Sequence, residues 1–321
     1  MKNIYLNIYK PNSTNLKKAK NYINNNNVIG IPTETVYGLA ANAYSNKAVK
    51  KIFNIKRRPY FNPLIIHYKS LKDLSVDANI NTDFIKLYRA FCPGPITFIL
   101  KKKINSNVPG IATANKNTIA VRIPEHKVAR NLLKIIKVPL AAPSANISSK
   151  LSPTSASDVV DEFGKKIKFI LDGGQCKIGL ESTIIDLTRK PTILRPGCIT
   201  VEKIQKILKK KININNKPKK IKSPGQLKSH YSPGIPVMMN RSTCKKNQAF
   251  IVFGKNFKIK KNYFNLSKKG DLKEAANNLY KVMRKIKKKK FKSIAVFKIP
   301  KSGIGQAIND RLKKASYKWM K

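Results

Sequence analysis

Acidic side chains are scarce in this chain. Asp+Glu number 15 against Lys+Arg 67 in 321 residues, a formal net charge of +52. Such an excess exceeds what solubility requires and points to an anionic partner, although Lys, Asn and Ile crowd every region, loops included, so part of it is compositional drift. Cysteine is equally sparse. Cys92, Cys176, Cys198 and Cys244 form no C-x-x-C pair, which argues against a zinc site and against a disulfide framework. No apolar run approaches the roughly 18 residues of a membrane span, and no positively led apolar segment opens the sequence, so the expected compartment is the cytoplasm, with no membrane partner. A G-x-x-x-x-G-K-[ST] loop is also missing, so phosphate must be held by side chains. Neither a Ser-His-Asp or Cys-His spacing nor paired carboxylates can be read from the sequence, and a covalent mechanism is not indicated.

What is present is enough to fold. At 41% hydrophobic residues, the chain can bury the core of one large or two ordinary domains. The stretch from Val28 to His67 is the most informative. An apolar, β-branched opening runs into Pro32, Thr33, Glu34, Thr35 and Tyr37, the pattern of a buried strand ending in a shaped turn. Asn46 is expected to cap a helix with apolar positions at Val49, Ile52 and Phe53, which puts Lys56 and Arg58 at its far end before Pro59. Asn62 and His67 follow on a second strand-like run. Hydroxyls, cations and an imidazole therefore converge, and a polyanion site is expected there.

Further along, Thr118 to Ile123 reads as a strand with Arg122 inside it, and a charge so placed needs a partner. Pro139 to Asn146 is an apolar strand ending in small polar residues, which let a ligand approach the backbone. Gly179–Asp186 and Ile193–Gly197 read as two more strands, the second ending in Arg195, and Thr200 caps a helix reaching Leu208. From Lys209 the hydrophobic period fades into Lys and Asn, which reads as a linker and a domain boundary. Beyond it strand and helix alternate in a small α/β unit, with strands near Ala249–Phe253 and Ile294–Phe297 and helices over Leu272–Ile286 and from Ile308. Its Gly303-Ile304-Gly305 lacks the third glycine and the acidic partner of a dinucleotide fingerprint and reads as a turn. For phosphate, Lys56, Arg58 and Arg195 are the suitable cations, with Ser144, Asn146 and Thr118 as neutral donors. This set suits a reaction whose barrier falls by orientation and charge neutralisation, as in transfer at phosphorus.

Taken in order, Pro32-Thr33-Glu34-Thr35-Val36-Tyr37-Gly38-Leu39, the K-x-R of Lys56 and Arg58, Asn62 to His67, Pro93-Gly94-Pro95, Ala120-Val121-Arg122, the S-x-N of Ser144 and Asn146, Leu171-Asp172-Gly173-Gly174, Glu181-Ser182-Thr183 and Leu194-Arg195-Pro196-Gly197 resemble the YrdC-like threonylcarbamoyl-adenylate synthases. That resemblance covers about residues 1–208. His230-Tyr231-Ser232-Pro233 and Asn309-Asp310-Arg311 resemble the longer, two-domain form. It implies an α/β fold: a twisted mixed sheet with helices around a large cavity over residues 1–208, a linker and lid over 209–236, and a small Rossmann-like C-terminal domain over 237–321. The implied reaction joins L-threonine, bicarbonate and ATP, with Mg2+, into threonylcarbamoyl-adenylate and pyrophosphate. A tRNA threonylcarbamoyl transferase then consumes the product, and RNA contact is a further implied property. By resemblance, Thr35, His67, Arg122, Ala142 and Ser182 hold threonine. Arg58, Asn62, Thr118, Ser144, Ser152, Arg195 and Tyr231 hold ATP, and Lys56 and Asn146 belong to the nucleotide cavity. Two other classes stay open: a nucleic-acid-binding module without catalysis, and a decayed enzyme carrying a structural C-terminal unit.

Overall fold

The computed structural model describes residues 5–215, 221–258 and 260–317. By sequence Asn3–Tyr9 reads as a short strand; it lies partly outside that range, and only Ile8–Tyr9 pairs as a strand. The first unit carries strands β1 (Ile8–Tyr9), β2 (Ile29–Ile31), β3 (Gly38–Asn42), β4 (Ile65–His67), β5 (Ile96–Lys101), β6 (Thr118–Arg122), β7 (Leu140–Ala141), β8 (Ile170–Leu171), β9 (Thr183–Asp186), β10 (Thr192–Arg195) and β11 (Asn213–Ile214). They form one mixed sheet in the order β1-β8-β2-β3-β7-β4-β6-β5-β9-β10-β11. The large sheet therefore ends on a strand that lies within the stretch read as linker, where Ile212 is buried in the main core.

Register explains why the polar residues meet. The antiparallel pairing of Ile31 with Gly38 closes β2 and β3 into a hairpin whose turn holds Thr33, Glu34 and Thr35. His67 lies opposite Arg122 on β6 and opposite Leu140 on β7. A bridge between Gly38 and Ser144 carries the S-x-N segment to the same end, and β5 and β9 pair in parallel from Ile96 and Thr183, which places Thr97 beside Ser182. Gly197 has to be glycine at the turn after β10, since a Cβ there would lie 2.4 Å from the Thr183 nitrogen.

The helix Asn46–Lys56 buries Val49, Ile52 and Phe53 as expected, but its cap is Ser45, whose side chain accepts from the Ala48 N–H at 3.1 Å. Apolar spacing locates a helix face and leaves the first residue open by one position. The helix stops at Arg57, in the left-handed region with φ +49°. It thereby turns Lys56 and Arg58 inward, both buried, rather than onto a solvated helix end.

The second unit has strands β12 (Val237–Met238), β13 (Gln248–Val252), β14 (Tyr263–Asn265) and β15 (Ser293–Val296), all parallel in the order β12-β15-β13-β14. Helices Leu272–Lys288 and Gly305–Ser316 pack on it. Those helices also meet the first unit. Val36, Leu151, Leu180 and Tyr231 share one apolar cluster with Leu279, Met283 and Leu312. Arg284 donates to the Leu151 carbonyl at 2.9 Å, and Asn277 to the Cys176 carbonyl at 2.8 Å. Among the described residues, no helix is long and apolar enough to cross a membrane.

Candidate active site

A cavity opens at the strand ends where the units meet. Its walls include Arg58, His67, Arg122, Ala142, Ser144, Glu181, Arg195, Gly225, His230 and Tyr231. Its free volume is about 40 Å³, against roughly 300–1,000 Å³ for ordinary ligand pockets. The expected large cavity is thus nearly filled. Pro224, Gly225, His230 and Tyr231 of the linker occupy its mouth, and Ser232 is bridged to Lys150 beside the S-x-N segment.

On one side stand Arg122 and His67. Arg122 is buried in β6 and donates through one nitrogen, Nη2, to the Glu34 carboxylate and, at 3.0 Å, to Thr35 Oγ1. Glu34 also accepts from the Glu125 N–H at 3.1 Å and the His126 N–H at 3.4 Å. Arg122 Nε and both ring nitrogens of His67 are buried without a hydrogen-bond partner. Burial, and then the Arg122 charge, push the His67 imidazole well below its ordinary range, so it stays neutral. Unpartnered donors of this kind are costly unless a ligand satisfies them.

On the other side are Arg58 and Arg195. Arg58 donates through Nε to the Asn62 carbonyl at 2.9 Å and through Nη2 to Asn62 Oδ1 at 2.6 Å and the Pro63 carbonyl at 2.7 Å. Arg195 donates through Nε and Nη2 to the carbonyl and hydroxyl of Ser182, both at 3.0 Å. Neither guanidinium has a carboxylate partner among the described residues. Burial, followed by repulsion from Arg195, pushes Arg58 down to about 9. Two buried cations that repel each other are set to receive an anion.

Other expected site residues stand one layer back. Lys56 points its ammonium at the Ser144 and Asn146 carbonyls, and Ser144 donates to Asn146 Oδ1 at 2.6 Å. Asn62 braces Arg58, Thr35 braces Arg122, Ser182 braces Arg195, and Ser152 donates to Glu181. Ala142 lines the wall itself. Thr118, at the opposite end of β6 from Arg122, is not brought to the wall. Sequence reasoning missed Glu34 and Glu181 as the carboxylates of the site, although both lie inside the quoted motifs. For Glu34 the signal was Arg122 inside a strand, which demands an acid, whereas the partner of Glu181 is Arg311 on a C-terminal helix, which no strand pattern announces.

His230 has a measurable consequence. Burial pushes its imidazole down to about 3 from 6.5, so between those values the unfolded chain binds a proton that the folded chain refuses. Its contribution to stability is complete above pH 6.5 and is lost as pH falls toward 3. Between pH 7 and pH 5 the parent protein should lose about 2 kcal/mol more than His230→Asn in urea unfolding. Equal losses would show that the imidazole titrates alike in both states.

These features define a class: a two-domain α/β enzyme with a buried, arginine-lined anion cavity under a linker segment. A family model described as "Telomere recombination" matches residues 21–197, and one described as "Threonylcarbamoyl-AMP synthase, C-terminal domain" matches residues 199–316. The chain belongs to the YrdC-like threonylcarbamoyl-AMP synthase family, in its two-domain form. A Pyrococcus abyssi protein named threonylcarbamoyl-AMP synthase is 38% identical over 94% of each chain. A Bacillus subtilis protein of the same name is 34% identical over 95% of this chain and 94% of its own. The crystal structure of P. abyssi Sua5 complexed with L-threonine superposes with a TM-score of 0.88 at 36% identity, covering 96% of both chains.

Proposed function

We propose that this chain makes threonylcarbamoyl-adenylate and pyrophosphate from L-threonine, bicarbonate and ATP, for N6-threonylcarbamoyl modification of adenosine in tRNA by a downstream transferase. The observation that carries the reading is the pairing in one cavity of a carboxylate-type half, Arg122 with His67, and a phosphate-type half, Arg58 with Arg195. The threonine amine attacks the carbon of bicarbonate, water leaves, and an N-carboxylate remains. A carboxylate oxygen then attacks the α-phosphorus and pyrophosphate departs. Arg58 and Arg195 stabilise the charge that builds on the leaving group, and hydrogen bonds to charged groups contribute about 1.5–3 kcal/mol each.

Magnesium enters this reading with ATP as part of the substrate. Among the described residues no group of three His, Cys, Asp or Glu side chains converges on one point. Glu34 and Glu181 are each held by a guanidinium, so the phosphates would carry the ion. The linker from Ile221 to Pro236 acts as a lid. Support comes from Tyr231, which is buried at 1% exposure and held at φ +60°, a backbone state that a tyrosine rarely adopts. A closed lid keeps water from the mixed anhydride.

Pyrophosphate release should require all three substrates together and fall to background when threonine or bicarbonate is left out. Release that continues at full rate without threonine would reject the assignment.

A further inference from the structure

The proposed reaction leaves unused the largest fully buried side chain among the described residues, Arg311 of the C-terminal domain, which is 1% exposed. Its Nε donates to Glu181 Oε2 at 2.9 Å. Its Nη1 donates to the Pro196 carbonyl at 2.8 Å and to Asp310 Oδ2 at 2.9 Å. Its guanidinium carbon lies 5.1 Å from the centre of the Tyr231 ring, a cation–π distance. That ring also meets the His230 ring at 4.0 Å and stacks on Tyr280 at 6.0 Å, and the Tyr280 hydroxyl lies 3.1 Å from both Glu181 oxygens.

The positions of these partners matter more than their number. Glu181 precedes Ser182 and Pro196 follows Arg195, and Ser182 and Arg195 are the pair joined by two hydrogen bonds at the cavity wall. One planar guanidinium therefore ties together the cavity ends of β9 and β10 and the lid residue Tyr231, a geometry that lysine cannot reproduce. Tying two domains together would need none of this convergence, since Arg284 and Asn277 already bridge the units away from the cavity.

We propose that Arg311 is a positioning residue of the nucleotide subsite: it fixes the Ser182–Arg195 unit and the closed place of Tyr231, so that ATP binding depends on a residue of the C-terminal domain. The inference rests on the reading of Arg195 as a phosphate ligand given above. Glu181 and Tyr280 act through the same linkage. Threonine is read against Arg122, His67 and the Ser182 hydroxyl; Arg311 touches none of them and reaches Ser182 only through the preceding Glu181, so threonine binding depends on it less than ATP binding does.

The test is calorimetric titration of the full chain with Mg-ATP alone and with L-threonine alone, for the parent, Arg311→Met and Tyr280→Phe. The Tyr280 variant keeps the buried charges and removes only the hydroxyl, so it decides the matter if Arg311→Met does not fold. Expected is about tenfold weaker ATP binding for Arg311→Met and about threefold for Tyr280→Phe, with a smaller loss of threonine binding in each variant. Unchanged ATP binding in the folded variants, or an equal loss of both ligands, overturns the inference and leaves Arg311 as an interdomain tie. A parent chain that binds neither ligand overturns the functional reading as well.

Discussion

Replacing Arg122 with methionine is expected to lower the unfolding free energy by about 3–5 kcal/mol and to abolish threonine binding, because it strands a buried carboxylate. Glu34 is 3% exposed, and without Arg122 its remaining donors would be the Glu125 and His126 N–H groups at 3.1 and 3.4 Å. The stability loss and the binding loss have different origins, and a second variant separates them. Glu34→Gln combined with Arg122→Met removes both charges, so most of the stability should return, since a buried ion pair is often replaceable by uncharged groups of similar volume. Threonine binding should not return, because the free Nε of Arg122 and the neutral His67 form the only unpartnered donor set on that side among the described residues. Urea unfolding and calorimetric titration of both variants check this. A single variant as stable as the parent, or a double variant that still binds threonine, would sink the account.

Local signals carried much of the fold and of this site. Apolar spacing located the helices ending at Lys56 and Leu208 and most strands of the large sheet. The strand Gly38–Asn42 was not legible. Its sequence is Gly-Leu-Ala-Ala-Asn, with no β-branched residue, and four of its five positions are buried, so no alternation shows. In the second unit, Val237–Met238 and Tyr263–Asn265 were too short to give a period, and they are strands only because β15 and β13 pair with them. At the site, the sequence stated that Arg122 needs a partner but could not say which. Glu34 stands 88 positions earlier and Arg311 stands 130 positions from Glu181. Pairings of that range belong to topology, and spacing along the chain contains no trace of them. Lys56 shows the same limit from the other direction: the motif places it at the nucleotide cavity, while its ammonium braces the backbone of Ser144 and Asn146.

The linker is where sequence and structure together make the sharpest demand. Gly225→Val is expected to lower kcat/KM for ATP by about 10²-fold, the scale of an ångström-sized misplacement at a catalytic centre, while the melting temperature barely moves. Gly225 has φ +83°, a conformation that a β-branched residue resists. A Cβ there would lie 2.8 Å from Arg195 Cδ and 2.8 Å from the Tyr231 hydroxyl. Neither neighbour can step aside, because Arg195 is bound to Ser182 through two nitrogens and the Tyr231 ring is packed against His230, Arg311 and Tyr280. The segment must therefore lift, and with it the part of the mouth that Pro224 and Gly225 close. Both sheets lie outside the stretch Ile221–Pro236, so their strands keep their packing and thermal stability reports little of the change. With about 40 Å³ of room in this arrangement, the proposed reaction would need the segment to open for substrates and to shut again for the chemistry. If Gly225→Val turns over like the parent, the segment is a tether, and the burial of Tyr231 serves the domain interface alone.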